Sequence, residues 1–308
     1  MQSIYAYYQG GGSELVKAQR SLRESIDRSY DLYFYLMLLA IEVCDYAGKQ
    51  IDAAMQKFLP TDVDRNPNMK FVNNKFIEQL RSNKALQGHL AARKLSWVNF
   101  KHVPKAIFNE LSETDEYKSY MVNPDQSYAD DKDIISFMLE NIVVENEDFY
   151  DALETQSIYW VDTAEFFVGM ALRTISRFKE SYGEDHPLMK KFKSDDDGEF
   201  ADKLLVKSIA SGDRYRELIT QSTENWDFER IALLDILLIQ EALAEIEQFP
   251  GIPLRVTFNE YIEIAKNYST EKSPIFINGV LDKIVQKLRE SGELIKSADV
   301  PVDDDSFL

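Results

Sequence analysis

The residue types best suited to binding chemistry cluster between residues 79 and 109. That stretch contains Arg81, Lys84, Arg93, Lys94, Lys101 and Lys105, no acid at all, and His89, Trp97, Phe100 and His102 among the bases. Cations attract phosphates and aromatic faces stack on unpaired bases, so this interleaving suits a single-stranded nucleic acid. Arg93, Lys94, Trp97 and Lys101 are the candidates for such a surface. The plainer reading is a solvated helix face, or one answered by the acidic stretch that follows. There, residues 110–156 hold fourteen acids against Lys118 and Lys132 alone. Asp235 is the second candidate, as the only charged residue between Ile231 and Gln240 in an apolar run. A carboxylate there is either a satisfied structural group or an acid on a rim that faces a ligand or partner.

Catalytic constellations are harder to find. Asp195, Asp196 and Glu199 match a DDxxE spacing of the kind that holds magnesium and pyrophosphate in all-helical synthases. They lie where a loop meets a helix beside Gly198, and no second aspartate-rich helix matches them, so solvated surface acids are the better reading. His89, His102 and His186 are scattered and Cys44 stands alone, without the spacing of a metal cluster. The glycines at 10–12 follow a helical pattern and lack the Lys-Ser or Lys-Thr ending of a phosphate loop. No nucleophile and base pair is readable. The expectation is a protein without enzymatic activity, cofactor or metal.

The elements that must position these residues are helical. No stretch alternates apolar and polar residues long enough for a sheet, while helical spacing recurs along nearly the whole chain, which reads as all-α. The opening MQSIYAYYQ is stopped by Gly10, Gly11 and Gly12, after which Ser13 can cap a long helix from Glu14 to Tyr46. Pro60–Asn68 reads as a loop. Helices are expected over 71–90, over 96–111 with a break at Pro104, and through 134–179, with the acidic stretch 114–133 as a loop. After a polar connection at 181–198, helices follow at about 199–221, 224–248, 256–268 and 275–290. An acidic tail from Ser297 is expected to fray.

Composition bounds the rest. Of the 308 residues, 44% are hydrophobic and 29% charged, enough for a sizeable core. The net charge of −18 is a poor global match to a polyanion. No run reaches the roughly 18–20 apolar residues of a membrane span, and the first residues lack the features of a secretory signal. With one cysteine, these features point to a reducing, cytoplasmic setting.

The most informative string is IPLRVTFNEYIEIAKNYSTEKSPIFINGVLDKIV, residues 252–285. Ser273 and Pro274 suit a helix start, and Gly279 inside the following helix permits close approach of another backbone or simply tight helix packing. The string closely resembles the carboxy-terminal signature of the bacterial NusB transcription antitermination factors. WDFERIALLDILLIQEALAEI, residues 226–246, looks like that family's central helix, and MQSIYAYYQ like the core of its first. Residues 48–195 match nothing in its compact members.

The resemblance implies a NusB-like helical bundle with a large helical insertion: amino-terminal helices in 1–47, an insertion over 48–195, a carboxy-terminal bundle over 196–296 and an acidic tail over 297–308. It implies an assembly factor that binds boxA-like single-stranded RNA together with NusE, a ribosomal protein, within the RNA polymerase antitermination complex on ribosomal RNA operons. It places Tyr5, Glu229, Asp235 and Phe276 on the RNA surface. The sequence departs from the family in two ways. No arginine cluster precedes the first helix, and Ile236 and Gln240 stand where the family carries bases. Those losses, with the acidity, leave open a second function: a helical factor that binds ribosomal or transcription proteins without touching RNA.

Overall fold

A computed structural model describes residues 1–12, 14–125, 127–223 and 231–294. Among these, helix is the dominant structure and no strand occurs, so the chain is all-α. In chain order the helices are α1 (Gln2–Gln9), α2 (Leu15–Met55), α3 (Asp62–Arg65), α4 (Lys75–Ser82), α5 (Lys84–Arg93), α6 (His102–Glu113), α7 (Asp115–Val122) and α8 (Tyr128–Asn141). They continue with α9 (Glu147–Gln156), α10 (Ala164–Arg177), α11 (Asp195–Ala210), α12 (Gly212–Ser222), α13 (Leu233–Gln248), α14 (Leu254–Tyr268) and α15 (Ser273–Glu290). The chain divides into two compact units, one of Met1–Glu24 with Phe192–Leu308 and one of Ser25–Lys191. The sequence reading placed the divisions at 47–48 and 195–196. The first of those falls inside α2, an unbroken helix that offers no loop or composition break to mark a boundary.

In the first unit every helix is arranged around α13. Twelve consecutive residues, Asp235 to Ile246, are buried, and α13 packs against α1, α11, α12, α14 and α15. The turn between α1 and α2 depends on Gly11 and Gly12, whose φ values of 86° and 66° suit glycine, and the Gly12 N–H closes on the Tyr7 carbonyl at 3.0 Å. The helix expected over 199–221 is instead two. It breaks at Ser211, and Gly212 opens α12 where the Tyr8 hydroxyl approaches so closely that an added Cβ would lie 2.5 Å from it. The same hydroxyl accepts from Gln240 Nε2 at 2.9 Å, which fixes α1, α12 and α13 at one point.

Asp235, the lone acid of the central run, is buried at the start of α13. Its carboxylate accepts hydrogen bonds from the Ser269 and Ser273 hydroxyls at 2.6 and 2.9 Å. Ser269 ends α14 and Ser273 begins α15, so one carboxylate ties the α14–α15 corner to the central helix. The Ser273 hydroxyl also accepts from the Thr270 N–H at 3.2 Å. At the other end of α13, burial favours the neutral form of Glu247, yet hydrogen bonds from Arg214, Lys207 and Tyr215 hold its carboxyl below the ordinary range. Gly279 is exposed on α15, and among the described residues no atom lies within 4 Å of an added Cβ, so no tight packing against a described neighbour occurs there.

The second unit is built on the part of α2 from Ser25 onward, whose Leu32, Tyr33, Tyr35, Leu36 and Met37 are fully buried. The acidic stretch expected to be a loop forms α7 and the start of α8. Thr114 and Ser127 cap them, accepting from the N–H groups of Tyr117 and Asp130. Asp115, Glu116, Asp130 and Asp131 occupy the first turns, where negative charge meets the positive helix end. Pro104 is likewise no break: it sits in the first turn of α6, where its missing N–H leaves no bond unmade. Asp195 and Asp196 open α11, and Glu199 pairs with Lys203 at 2.6 Å, an ordinary helix start in place of a pyrophosphate site.

Two stability outcomes follow. Gly212→Ala drives a methyl group into Tyr8 and is expected to lower stability by about 1–3 kcal/mol, read as a lower urea midpoint. Asp235→Ala leaves the Ser269 and Ser273 hydroxyls without their acceptor and is expected to cost about 1–3 kcal/mol in the same experiment. An unchanged midpoint would remove the carboxylate from the packing scheme.

Candidate nucleic-acid interface

Tyr5 is carried on the outward face of α1 and is 41% exposed, while Ile4 beside it is buried and anchors the helix. The exposed positions Gln2, Tyr5, Ala6 and Gln9 repeat at helical spacing, so α1 presents one face to solvent and the other to α11 and α13. Beside that face runs a groove of about 320 Å³, walled by Ser3, Ala6, Tyr7 and Gly10 on one side and by Lys17 and Ala18 of α2 on the other. Lys17 and Arg20 are both exposed, and no ion pair is recorded for either among the described residues. Arg23, one turn further, is taken up by a bidentate contact to Asp202.

Neither Lys17 nor Arg20 was singled out from sequence. The available signal was a pair of bases three residues apart at the start of a helix, directly after the glycine turn. An exposed ring on α1 and two exposed cations at the start of α2 offer both parts of single-strand binding: a stacking face and phosphate attraction.

Phe276 lies in the first turn of α15 and is half-buried, packed at the edge of the core around α13. It follows Ser273 by one turn, so the Asp235 lock sets its position. Asp235 is buried, and among the described residues its carboxylate is held by two internal hydroxyls, those of Ser269 and Ser273. The structure therefore places it as a positioning carboxylate. Tyr5 and Phe276 are held by different helices on the same central helix. Glu229 lies outside the described residues. Ile236 and Gln240 are buried, Gln240 donating to the Tyr8 hydroxyl and to the Ser208 carbonyl at 2.7 Å. The bases missing from those positions are therefore not missing from the surface of this protein.

The basic segment of the second unit is rearranged by folding. Trp97 is 1% exposed, stacked on Tyr35 at 4.0 Å between ring centres, with its indole N–H donated to the Tyr35 carbonyl. It is a core residue, and no base can stack on it. Arg93 forms a bidentate pair with the buried Asp31, which His89 also contacts at 2.8 Å. Arg81 pairs with Asp45, and Lys84 with Glu184 and Asp185. These partners come from α2 and from the 184–185 turn, not from the acidic 110–156 stretch. Lys94, Lys101 and Lys105 are exposed and form no ion pair among the described residues. Lys94 ends α5 in the left-handed conformation, φ 54°, an αL cap that turns its side chain out of the helix face.

No metal-holding group of His, Cys, Asp or Glu occurs among the described residues, and no helix there is long and apolar enough to cross a membrane.

Comparison with known proteins bears on this arrangement. The NusB family model matches residues 169–286, from within α10 to α15, so the match begins inside the stretch read as an insertion. The transcription antitermination protein NusB of Salinibacter ruber is 37% identical over 99 residues, 32% of this chain and 62% of the relative. That of Chloroherpeton thalassium is 42% identical over 79 residues, 26% of this chain and 37% of the relative. The chain thus spans about three fifths and under two fifths of those two proteins. No solved structure matches. The NusB protein of Geobacter sulfurreducens is 39% identical over 93 residues, 30% of this chain and 67% of the relative, and on that similarity the chain belongs to the NusB family.

Proposed function

We propose that this protein is a transcription antitermination factor that works by assembly and not by catalysis. In this reading it binds boxA-like single-stranded RNA together with NusE and joins the RNA polymerase antitermination complex. The observation that carries it is the exposed Tyr5 ring on α1 together with the exposed cations Lys17 and Arg20 at the start of α2, on the unit that holds the family's helices. Tyr5 and Phe276 supply stacking faces, each worth about 1–3 kcal/mol per base. Lys17 and Arg20 supply phosphate contacts. Asp235 acts through packing, by holding the turn that presents Phe276.

The outer side of α15 supports a protein partner as part of the function. Ile275 is 81% exposed, and Asn278 and Gly279 lie exposed on the same face, with no described residue within 4 Å of a Cβ added at Gly279. A residue without a side chain on an open helix face admits the close approach of a second molecule.

Fluorescence anisotropy with a labelled boxA-like RNA tests the reading, with the protein alone and with NusE, at two ionic strengths and against a scrambled RNA. Selective binding that NusE strengthens, and that Tyr5→Ala weakens about tenfold or more, is the expected result. Equal weak binding of both RNAs with and without NusE would refute it. Binding of NusE with no enhancement by RNA would select the protein-only alternative.

Lys94, Lys101 and Lys105 form a further phosphate-attracting edge on the second unit, without help from Trp97. Charge reversal by Lys94→Glu with Lys101→Glu is expected to lower the slope of log affinity against log salt by about 1–2. An unchanged slope would remove this edge from the RNA surface.

A further inference from the structure

One face of the second unit has the opposite character from a nucleic-acid site. From Asp133 to Leu172 the chain carries nine acids and no Lys, Arg or His across forty residues. Lys132, just before it, is occupied, its ammonium donating to the carbonyls of Ser176 and Phe178 at 3.0 and 3.3 Å. Within this region α9, the 3-10 turn Val161–Thr163 and the start of α10 pack on one another. Their inner residues are well satisfied: Trp160, Ala164 and Phe167 are buried, and the Trp160 indole N–H donates to the Arg28 carbonyl at 2.6 Å.

On the outside, the same nine-residue stretch exposes Ile158 at 81%, Phe166 at 62% and Val161 at 38%. Single exposed apolar residues are common on soluble proteins, but three large ones within nine residues of chain, on elements that pack together, are a denser apolar exposure than that. Acids surround them. Asp151 and Glu154 stand exposed on successive turns of α9, beyond its capped first turn, and Glu165 stands exposed beside Phe166. Burial, then the charges of Glu165 and Glu145, push the Tyr150 hydroxyl above its ordinary value, which puts both carboxylates within electrostatic reach of one ring on α9.

We propose that this face is a docking surface for a basic, amphipathic protein segment, whose apolar side chains cover Ile158, Val161 and Phe166 while its Lys and Arg residues meet Asp151, Glu154 and Glu165. An apolar centre with a charged rim is the usual layout of a protein-binding patch, and the rim's single sign selects the partner's charge and speeds encounter. The same field repels RNA and anionic lipid. The patch is small, which fits a short segment and a transient complex better than a permanent one. This inference does not rest on the antitermination reading, since it concerns a different unit and a different ligand chemistry.

The test uses the full chain and a fluorescein-labelled synthetic peptide with leucines on one helix face and arginines on the other, followed by anisotropy at low and near-physiological salt. Saturable binding is expected, weakened about tenfold by Phe166→Ser with Ile158→Ser at both salts. Asp151→Lys with Glu154→Lys is expected to weaken binding and flatten its salt dependence. A control peptide with Gln for Arg should not bind. All four substituted positions are exposed, so thermal unfolding of the chain should be unchanged. Failure to bind the peptide overturns the proposal, as does equal binding by native and substituted chains. Equal binding of an arginine-only peptide also overturns it, because that would be unspecific attraction. None of these arms contains RNA, so their outcome is separate from that of the boxA experiment.

Discussion

The first unit depends on the enclosure of α13. A helix buried along twelve consecutive residues can keep polar side chains only where a neighbour answers them, and this one keeps four: Asp235, Gln240, Glu241 and Glu245. Each has a partner from a different direction, although Gln240 Oε1 accepts no hydrogen bond among the described residues. Asp235 takes hydroxyls from the α14–α15 corner, Gln240 reaches Tyr8 of α1 and the Ser208 carbonyl of α11, and Glu245 accepts from Tyr261 of α14 at 3.1 Å. Glu241 lies 2.8 Å from the Met1 amino group. Sliding any of these neighbours by one turn would strand a buried polar group, at about 1–3 kcal/mol each. The apolar surface of α13 supplies the drive to pack, and its few polar atoms supply the register.

That division of labour explains which parts of the structure could be read from the sequence. Helical periodicity reports burial along one element, so the all-α class, the start of the long α2 and the pair α14–α15 were legible, while α2 runs nine residues past its expected end at Tyr46. Breaks that arise from contacts between distant residues were not. At the interruption at Ser211 the Tyr8 hydroxyl, some two hundred positions away, approaches Gly212 closely, a contact that periodicity over 199–221 does not report. The acidic stretch at 114–133 failed for a different reason. Acids were read as loop-forming, whereas Thr114 and Ser127 cap helices whose first turns welcome them. The cap residues were the legible signal, outweighed by the density of charge.

The site residues divide in the same way. Tyr5 and Phe276 were named from a resemblance, and folding leaves one exposed and one half-buried at the surface. Trp97 was named because rings among bases suit RNA, but composition cannot distinguish a ring that points outward from one stacked on Tyr35. Asp235 was open between two readings, and the hydroxyls that decide it lie 34 and 38 residues later in the chain. Lys17 and Arg20 were passed over because two bases in a charged helix look unremarkable until a groove and an aromatic face are placed beside them.

Charge shows most clearly how folding alters a sequence pattern. The block at 79–109 carries six bases, yet Arg81, Lys84 and Arg93 are spent on Asp45, Glu184, Asp185 and the buried Asp31, which leaves three free lysines at its surface. The following acidic block is thinned similarly, since its acids at 115, 116, 130 and 131 lie in the first turns of helices. What remains unanswered is therefore much more localised than the sequence suggests: cations at Lys94, Lys101 and Lys105, and acids around Ile158 and Phe166. For a chain of net charge −18, this matters to any polyanion it meets. Screening over roughly 8 Å at physiological salt confines each patch's influence to its own neighbourhood. On the proposed function an RNA strand would be held at Lys17 and Arg20 while acids elsewhere on the protein would meet a basic partner, and the overall acidity excludes neither role.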